Sequence, residues 1–273
     1  SARNVSCVGA EPVAITNNLN FSSPESEIGY WQLSSSCEGI SEACNVLETP
    51  VTGGNVSLYN ESKNNANDIT PINPTPVIGM VGKIDNVEKA ISSEWKNIDD
   101  QIWIIGSYKS ETTIAASSYL EYFHGKVTGR PPKIDLPDEK LVQKFLRNAI
   151  LKNFVVSSHD ISDGGLAIAL AECCILSEKG ATLDLEEDSN RDDNLLFAEG
   201  GSRIIFSIDN MKEKEWLDYL DNNQINSQSG LFLKKIGYVS SQTLKIKIKD
   251  KNICNIRVEE LTEKFNNSIT GNF

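Results

Sequence analysis

Thr49-Pro-Val-Thr-Gly-Gly-Asn-Val-Ser-Leu-Tyr-Asn-Glu61 is the most informative stretch of this sequence. Gly53 and Gly54 let the backbone approach a ligand, because no Cβ stands in the way and successive N–H groups can converge on anionic oxygens. Asn55 offers a side-chain carbonyl to a hard cation, and Ser57 offers a hydroxyl on the same face two residues later. The competing interpretation is a tight turn between strands. Spacing alone favours the turn, because Gly-Gly and Gly-Asn are common hairpin residues.

The apolar patterns around this stretch predict a mixture of strands and helices. Val51 and Val56–Tyr59 are expected to flank the glycine turn as short strands. Other strands are predicted at Pro12–Asn17, Pro76–Val81, Gln101–Ile105, Phe154–Ser157, Ile204–Ile208, Ile236–Val239 and Leu244–Ile248. Helices are predicted at Ser26–Leu47, Asp138–Lys152, Ser162–Ile175 and Lys212–Leu220. The elements do not follow a regular βαβ repeat, so the sequence predicts an α+β fold.

Two further segments bear on the organisation of the chain. Asn60–Asn73 is polar and rich in asparagine, and we expect a mobile loop there. Thr128–Asp138 contains three prolines and a glycine, which predicts a domain linker. The predicted division is a first domain at residues 1–130, a linker at 131–138 and a second domain at 139–273.

The composition excludes several classes of partner. The 273 residues carry 26 Lys and Arg against 38 Asp and Glu, a formal net charge of -12, so a nucleic-acid surface is not expected. No apolar run reaches the roughly 18 residues of a spanning helix, and the first residues have no signal-peptide pattern. We therefore expect no membrane partner. Six cysteines without a CxxC pair are typical of reduced thiols in a cytoplasm.

Cysteine and histidine add little chemistry of their own. Cys37 and Cys44 lie seven apart on a predicted helix, and core packing is favoured over metal binding because zinc needs four convergent donors. His124 follows a helix end and is expected to cap it. His159 could act as a base, although a hydrogen-bonded structural role is more typical of a histidine at a strand end.

Three weaker motifs complete the set. Ala14–Phe21 places amides and a hydroxyl at a strand end, where they can bind a purine edge or a ribose. In His159–Leu166, Ser162 is the expected helix N-cap, and the two glycines after it leave backbone donors uncovered. In Phe197–Arg203, Arg203 can bind a phosphate or form a salt bridge with Glu199.

Taken in order, these motifs closely resemble the small-type phosphoribosylformylglycinamidine synthase subunit II family of purine biosynthesis. The resemblance also rests on Gly9–Phe21, Trp31-Gln32, Glu42-Ala-Cys44 and Pro74–Gly82. His159-Asp-Ile-Ser-Asp-Gly-Gly by itself would indicate only the wider superfamily, which includes aminoimidazole ribonucleotide synthetase, thiamine-monophosphate kinase and selenophosphate synthetase. The resemblance implies a half-barrel-forming sheet with helices in an N-terminal-type synthetase domain. A C-terminal-type domain, with a mixed sheet covered by helices, is implied to follow it.

The resemblance also implies site residues. Asn17 falls where the family contacts ATP, usually with Asp, and Gly54 matches a glycine that approaches ATP. Asn55 matches a magnesium ligand, and Ser57 matches a contact to formylglycinamide ribonucleotide. No residue of this chain matches a catalytic residue of the family.

The implied reaction begins when ATP activates the formamide oxygen as a phosphoryl imidate. Ammonia from glutamine then displaces phosphate to give the amidine. A glutaminase subunit and a small bridging subunit are the implied partners.

The family chain contains two N-type plus C-type domain pairs, and this sequence resembles the second pair, beginning late within its N-type domain. We therefore expect a fragment that is inactive alone and that self-associates through an open sheet edge. Two alternatives remain: a non-catalytic nucleotide-binding or scaffold half of the synthase, and a stand-alone superfamily kinase. The kinase would need an acidic metal cluster near its N-terminus.

Overall fold

The computed structural model describes residues 1–63, 68–186, 191–223 and 230–270. It divides into two compact units, of which unit 1 is Ser1–Val5 with Ala10–Asp85 and unit 2 is Ser6–Gly9 with Asn86–Phe273. Both units combine sheets with helices, so the fold is α+β as the sequence predicts. No helix in the described parts has both the length and the hydropathy to cross a bilayer.

Unit 1 is built on a three-stranded sheet in the order β2-β1-β5. The strands are β1 (Glu11–Asn20), β2 (Val51–Ser57) and β5 (Thr75–Lys83), with β2 parallel and β5 antiparallel to β1. A short helix, α1 (Ala2–Cys7), precedes them, and α2 (Glu27–Leu47) joins β1 to β2. Ser26 caps α2 by accepting a hydrogen bond from the Gly29 N–H, at the boundary that the sequence predicts.

The segment predicted as a loop contains a small hairpin. Strands β3 (Glu61–Lys63) and β4 (Ile69–Pro71) pair antiparallel, so the loop interpretation of Asn60–Asn73 is wrong for these residues. Positions 64–67 lie outside the described residues. Polar strands of three residues carry too little apolar alternation to be recognised in a sequence.

Unit 2 contains a seven-stranded mixed sheet in the order β14-β13-β9-β12-β6-β11-β8. Its strands are, in chain order, β6 (Gln101–Ser107), β8 (Val155–Asp160), β9 (Gly180–Leu185), β11 (Ile204–Ile208), β12 (Leu231–Ser240), β13 (Thr243–Ile248) and β14 (Lys251–Arg257). A two-residue ladder pairs β7 (Thr112–Thr113) with β10 (Glu199–Gly200). The helices are α3 (Ser118–His124), α4 (Leu136–Leu151), α5 (Gly165–Ser177), α6 (Asp192–Phe197), α7 (Glu213–Asn223) and α8 (Val258–Thr270).

Helices cover both faces of this sheet, and the side chains of the interior strand β6 alternate between the two. Ile102 and Ile104 pack into a core with α5, and Trp103 and Ile105 pack into a second core with α4 and α7. Trp216 of α7 is fully buried and meets Trp103 edge to face, with ring centroids 5.8 Å apart. All seven residues of β6 are buried, as expected of a strand enclosed on both faces.

The position of β6 bears on the domain division. The structural units divide between Asp85 and Asn86, whereas the sequence places the linker at 131–138. Because β6 pairs with both β11 and β12, residues from 101 onward share the sheet of the C-terminal part. Pro131 and Pro132 of the predicted linker therefore lie in a connection within unit 2, and Pro137 lies in the first turn of α4.

Candidate functional site

The register between β1 and β2 brings the four predicted site residues onto one strand pair. Asn17 lies opposite Gly54, Asn18 opposite Asn55, and Asn20 opposite Ser57. Because successive residues of a strand face opposite sides, Asn17 and Gly54 share one face of the sheet. Asn55 and Ser57 share the other face, as the sequence predicts.

The Gly-Gly-Asn segment is extended strand, so the interpretation of it as a hairpin turn is wrong. Gly53, Gly54 and Asn55 all lie inside β2, and neither glycine has a positive φ. Successive N–H groups of an extended strand point to opposite sides, so they do not converge as in a phosphate-binding nest. Within the described sheet β2 is an edge strand, so alternate N–H groups face outward along its open side.

Gly54 has a specific packing reason to lack a side chain. A Cβ at this position would overlap the Asn17 Oδ1 and come within 2.6 Å of the Asn17 carbonyl oxygen. A Cβ on the neighbouring Gly53 would meet nothing within 4 Å. Gly54 therefore gives the Asn17 side chain room to lie across β2.

The Asn17 face of the sheet opens into a pocket of about 320 Å³ beside α2. Its lining consists of Asn17, Cys37, Ile40, Ser41, Cys44, Asn45, Pro50 and Val51. Cys37 is exposed and Cys44 is half-buried, so the prediction that both are core residues is wrong for Cys37. The burial of α2 is shallow, since among its described residues only Gly29 is fully buried.

The opposite face carries a row of amides and a hydroxyl held by short-range hydrogen bonds. Asn55 Nδ2 donates to Asn18 Oδ1 at 3.2 Å. Ser57 Oγ donates to Asn60 Oδ1 at 3.2 Å, and Asn60 Nδ2 donates to the carbonyls of Ser57 and Phe21 at 2.9 and 3.1 Å. Asn60 thus ties the end of β2 to the end of β1. Sequence reasoning missed this role, because only the fold brings Phe21 next to Asn60.

Unit 1 supplies little positive charge to an anionic ligand. Residues 1–85 carry three basic residues, Arg3, Lys63 and Lys83, against nine acidic ones. The described residues contain no group of three or more His, Cys, Asp or Glu side chains that could hold a metal ion. Binding of a phosphate group at unit 1 would therefore depend on a cation that is itself coordinated by water or phosphate oxygens. It would also depend on the dipoles of backbone N–H groups and polar side chains.

His159 of unit 2 sits in an ion-pair arrangement rather than in an open site. Its Nε2 lies 3.1 Å from Glu172 Oε2, and its Nδ1 donates to the Asp160 carbonyl at 2.8 Å. Burial disfavours the charged ring, but the hydrogen bonds to Asp160 and Glu172 and the Glu172 charge outweigh it and raise the pKa of His159 to about 10. The ring is therefore a cation at neutral pH and is unsuited to act as a general base. The hydrogen bonds of His159 to Asp160 and Glu172 support the structural role for this residue.

The anion-binding interpretation of the glycine turn before α5 is also corrected by the structure. Glu199 Oε1 accepts hydrogen bonds from the Gly164 N–H and the Ser118 N–H, both at 2.9 Å. The residue at the N-cap is Gly164, without a side-chain cap bond, and not Ser162. A carboxylate of the chain itself thus occupies the position that the sequence left open for an external anion.

The buried Arg203 side chain donates to the backbone carbonyls of Gly200 and Ala198. It braces the turn that carries Glu199. Neither hydrogen bond could be predicted from the sequence, since both acceptors are main-chain atoms whose positions depend on the β7–β10 ladder.

Two family models match most of the chain. The model described as AIR synthase related protein, N-terminal domain, matches residues 1–84, and the corresponding C-terminal domain matches residues 97–247. The chain belongs to the AIR synthase related family. This result agrees with the α+β fold and with the family relationship expected from the motifs.

Curated relatives within the AIR synthase related family are close in sequence. The chain is 84% identical to the phosphoribosylformylglycinamidine synthase subunit PurL of Prochlorococcus marinus strain MIT 9312, over all 273 residues. It spans 35% of that relative's length.

Solved structures support the same fold at low sequence identity. T. maritima PurL complexed with ATP matches with a TM-score of 0.65 and 18% identity, over 95% of this chain and 39% of that one. T. maritima PurL complexed with FGAR matches with a TM-score of 0.66 and 18% identity, over 96% and 41% of the two chains.

Proposed function

We propose that this chain forms part of an ATP-dependent phosphoribosylformylglycinamidine synthase of purine biosynthesis, a carbon–nitrogen ligase. The observation that carries the proposal is the 84% identity to a PurL subunit along the whole chain. The β1–β2 register adds support, since it places the four residues expected to bind ATP, magnesium and substrate on one strand pair, with Asn17 and Gly54 on one face and Asn55 and Ser57 on the other. The chain would supply part of that site, along the open edge of β2.

Asn17 and Gly54 are the proposed ATP contacts. The pocket beside Asn17 has about 320 Å³, at the lower end of the roughly 300–1,000 Å³ of small-molecule sites, so it suits part of a nucleotide. The Asn17 amide can both donate to and accept from a purine edge or a ribose hydroxyl. The outward N–H groups of β2 would face the phosphates.

Asn55 is the proposed magnesium ligand, through its side-chain carbonyl oxygen. An oxygen donor suits this hard cation, which in phosphate sites keeps most of its shell as water and phosphate oxygens and takes few protein ligands. A single amide oxygen on an exposed strand therefore fits that pattern. Bound magnesium would neutralise the negative charge of the phosphates, which the acidic unit 1 cannot neutralise with its own side chains.

Ser57 is the proposed contact to formylglycinamide ribonucleotide. In the reaction, the γ-phosphoryl group of ATP passes to the formamide oxygen of the substrate, leaving ADP. Ammonia derived from glutamine then adds to the carbon, and the C–O bond breaks to release phosphate and the amidine. The chain's contribution is positioning, since phosphoryl transfer depends mostly on alignment and charge neutralisation.

The proposed partners are a glutaminase subunit, a small bridging subunit and a second copy of the chain. Val56, Val77 and Val81 of unit 1 are each more than half exposed, which favours contact with another protein surface. We expect the whole assembly to work in the cytoplasm.

A non-catalytic nucleotide-binding or scaffold role is the second candidate. It is favoured by the chemistry of the four proposed site residues, since amides, a glycine and a hydroxyl carry no group that titrates near neutral pH. Under either candidate we expect the chain by itself to bind nucleotide and to form no amidine.

Cys37 provides a direct test of nucleotide binding. This thiol is exposed and lines the Asn17 pocket, so bound nucleotide should slow its alkylation by iodoacetamide. Peptide mass spectrometry would measure the alkylation rate with and without Mg·ATP. Half-buried Cys254 of unit 2 is the internal control, and its rate should not change. We expect protection of about fivefold or more at saturation, since a site more than 80% occupied leaves less than a fifth of the thiol reactive.

Equal Cys37 rates with and without Mg·ATP would contradict the proposed ATP contact. Amidine formation from ammonia and ATP by this chain alone, at about 1 s⁻¹ or faster, would contradict the expectation that the chain is inactive by itself.

A further inference from the structure

The orientation of the Asn55 amide depends on a neighbour that is not itself among the proposed ligands. Asn18 lies directly opposite Asn55 in the β1–β2 register, and its Oδ1 accepts the hydrogen bond from Asn55 Nδ2 at 3.2 Å. The register shift in this strand pair falls earlier, between Ile15 and Thr16, so the pairing from Thr16 onward is regular. The two side chains therefore meet on one face of the sheet.

An amide side chain has a donor end and an acceptor end, and its terminal torsion has a broad, roughly twofold preference. Both asparagines are exposed, so solvent alone would not fix the orientation of either. When Asn18 accepts from the Asn55 nitrogen, the Asn55 carbonyl oxygen is directed away from Asn18. A rotation of the Asn55 amide by half a turn would present NH₂ hydrogens to a cation, and that contact is repulsive.

We propose that Asn18 is a positioning residue that fixes the Asn55 amide with its carbonyl oxygen available to a divalent cation. The inference rests on the proposed function, because it assumes that Asn55 binds the metal. Cation binding at the Asn55 oxygen polarises the amide and strengthens the N–H···O bond to Asn18, so orientation and binding support each other. Removing a residue that hydrogen-bonds to a metal ligand typically lowers metal affinity by about 10–100-fold. Because Asn18 is exposed, we expect an effect at the lower end of this range.

The experiment measures binding of Mn²⁺ to the chain in the presence of ATP, by the electron paramagnetic resonance signal of free Mn²⁺. Asn18→Leu keeps the side-chain volume and removes the acceptor, and it should weaken Mn²⁺ binding about tenfold. Asn18→Asp keeps an acceptor oxygen in place, and it should bind Mn²⁺ at least as tightly as the wild type. Asn55→Ala removes the ligand itself and should weaken binding by at least as much as Asn18→Leu.

Asn20 is the matched control, because it lies on the same strand and the same face but opposite Ser57. Asn20→Leu should leave Mn²⁺ affinity within about twofold. Asn20→Asp tests the effect of an added negative charge by itself. If it tightens Mn²⁺ binding as much as Asn18→Asp does, a general electrostatic effect explains the tighter binding and the positioning role is contradicted. Thermal unfolding by circular dichroism checks each variant, and Asn18→Ala takes the place of Asn18→Leu if the latter does not fold.

Failure of the positioning inference and failure of the proposed function give different results. Wild-type affinity in Asn18→Leu together with weakened binding in Asn55→Ala would overturn the inference and leave the metal site standing. Unchanged binding in Asn55→Ala, or no Mn²⁺ and ATP binding by the wild type, would overturn the proposed metal site and the inference with it.

Discussion

The ion pair between His159 and Glu172 should make the stability of unit 2 depend on alkaline pH. The perturbation is Glu172→Gln, which keeps an acceptor near His159 Nε2 and removes the charge. The folded-state pKa of His159 is raised from 6.5 to about 10, although burial opposes the charged ring. A raised pKa contributes stability that is fully present below pH 6.5 and is lost as the pH rises through 10.

The magnitude follows from this pH window and from the exposure of the pair. At about 1.4 kcal/mol for each pH unit, the interval from 6.5 to about 10 sets an upper limit of about 5 kcal/mol. The His159 side chain is 18% exposed, but Glu172 is 39% exposed, and solvent screening reduces the limit. We therefore expect Glu172→Gln to lower the free energy of unfolding by about 2 kcal/mol at pH 6–7.

The assay is urea unfolding of both proteins at intervals from pH 6 to pH 10.5, with the denaturant slope checked for equality. The difference between wild type and Glu172→Gln should shrink as the pH approaches 10. The chain has only two histidines, so the ¹³C-edited spectrum of the imidazole protons would also report the His159 titration directly. A constant difference across this range, or a His159 titration near 6.5, would refute the reasoning.

Two other substitutions test packing and polar contacts. Gly54→Ala should destabilise unit 1 by about 1–3 kcal/mol, because the new Cβ overlaps an asparagine side chain on the adjacent strand. Gly53→Ala should have little effect on stability, because a Cβ there meets nothing within 4 Å. Calorimetry would compare the melting temperatures of the two variants, and equal values would contradict the overlap. Glu199→Ala should lower the free energy of unfolding of unit 2 by about 2 kcal/mol, because it leaves two backbone N–H groups without their acceptor. Glu199→Gln keeps an acceptor oxygen and should cost less, and a urea titration in which both variants match the wild type would be evidence against this contact.

Much of the secondary structure could be predicted from local sequence. The structure confirms the helix that begins after Ser26, which has a strong N-cap. It also confirms the strands Gln101–Ser107 and Ile204–Ile208, which have strong hydrophobic patterns. The missed elements have weaker signals. Lys251–Arg257 alternates polar and apolar residues too irregularly to be recognised, and the helix Val258–Thr270 follows it without an intervening turn.

The glycine stretch shows where local reasoning fails. Gly53-Gly54-Asn55 has the composition of a turn, but it lies within a strand because parallel pairing with β1 supplies its hydrogen bonds. Tertiary contact overrides local preference here, as is common in strands. The predicted division of the chain at residues 131–138 differs from the boundary between the structural units for a related reason, since a run of prolines indicates local stiffness and not which sheet the flanking strands join.

The sequence by itself determined the family, the α+β class and the residue types that can meet a nucleotide and a cation, because these depend on composition and on motifs that are contiguous in the chain. The tertiary structure decided which side chains meet. It placed Asn18 beside Asn55, Glu172 beside His159 and Glu199 at the start of α5. Each of these contacts depends on strand register or on helix packing, and neither can be read from one segment alone.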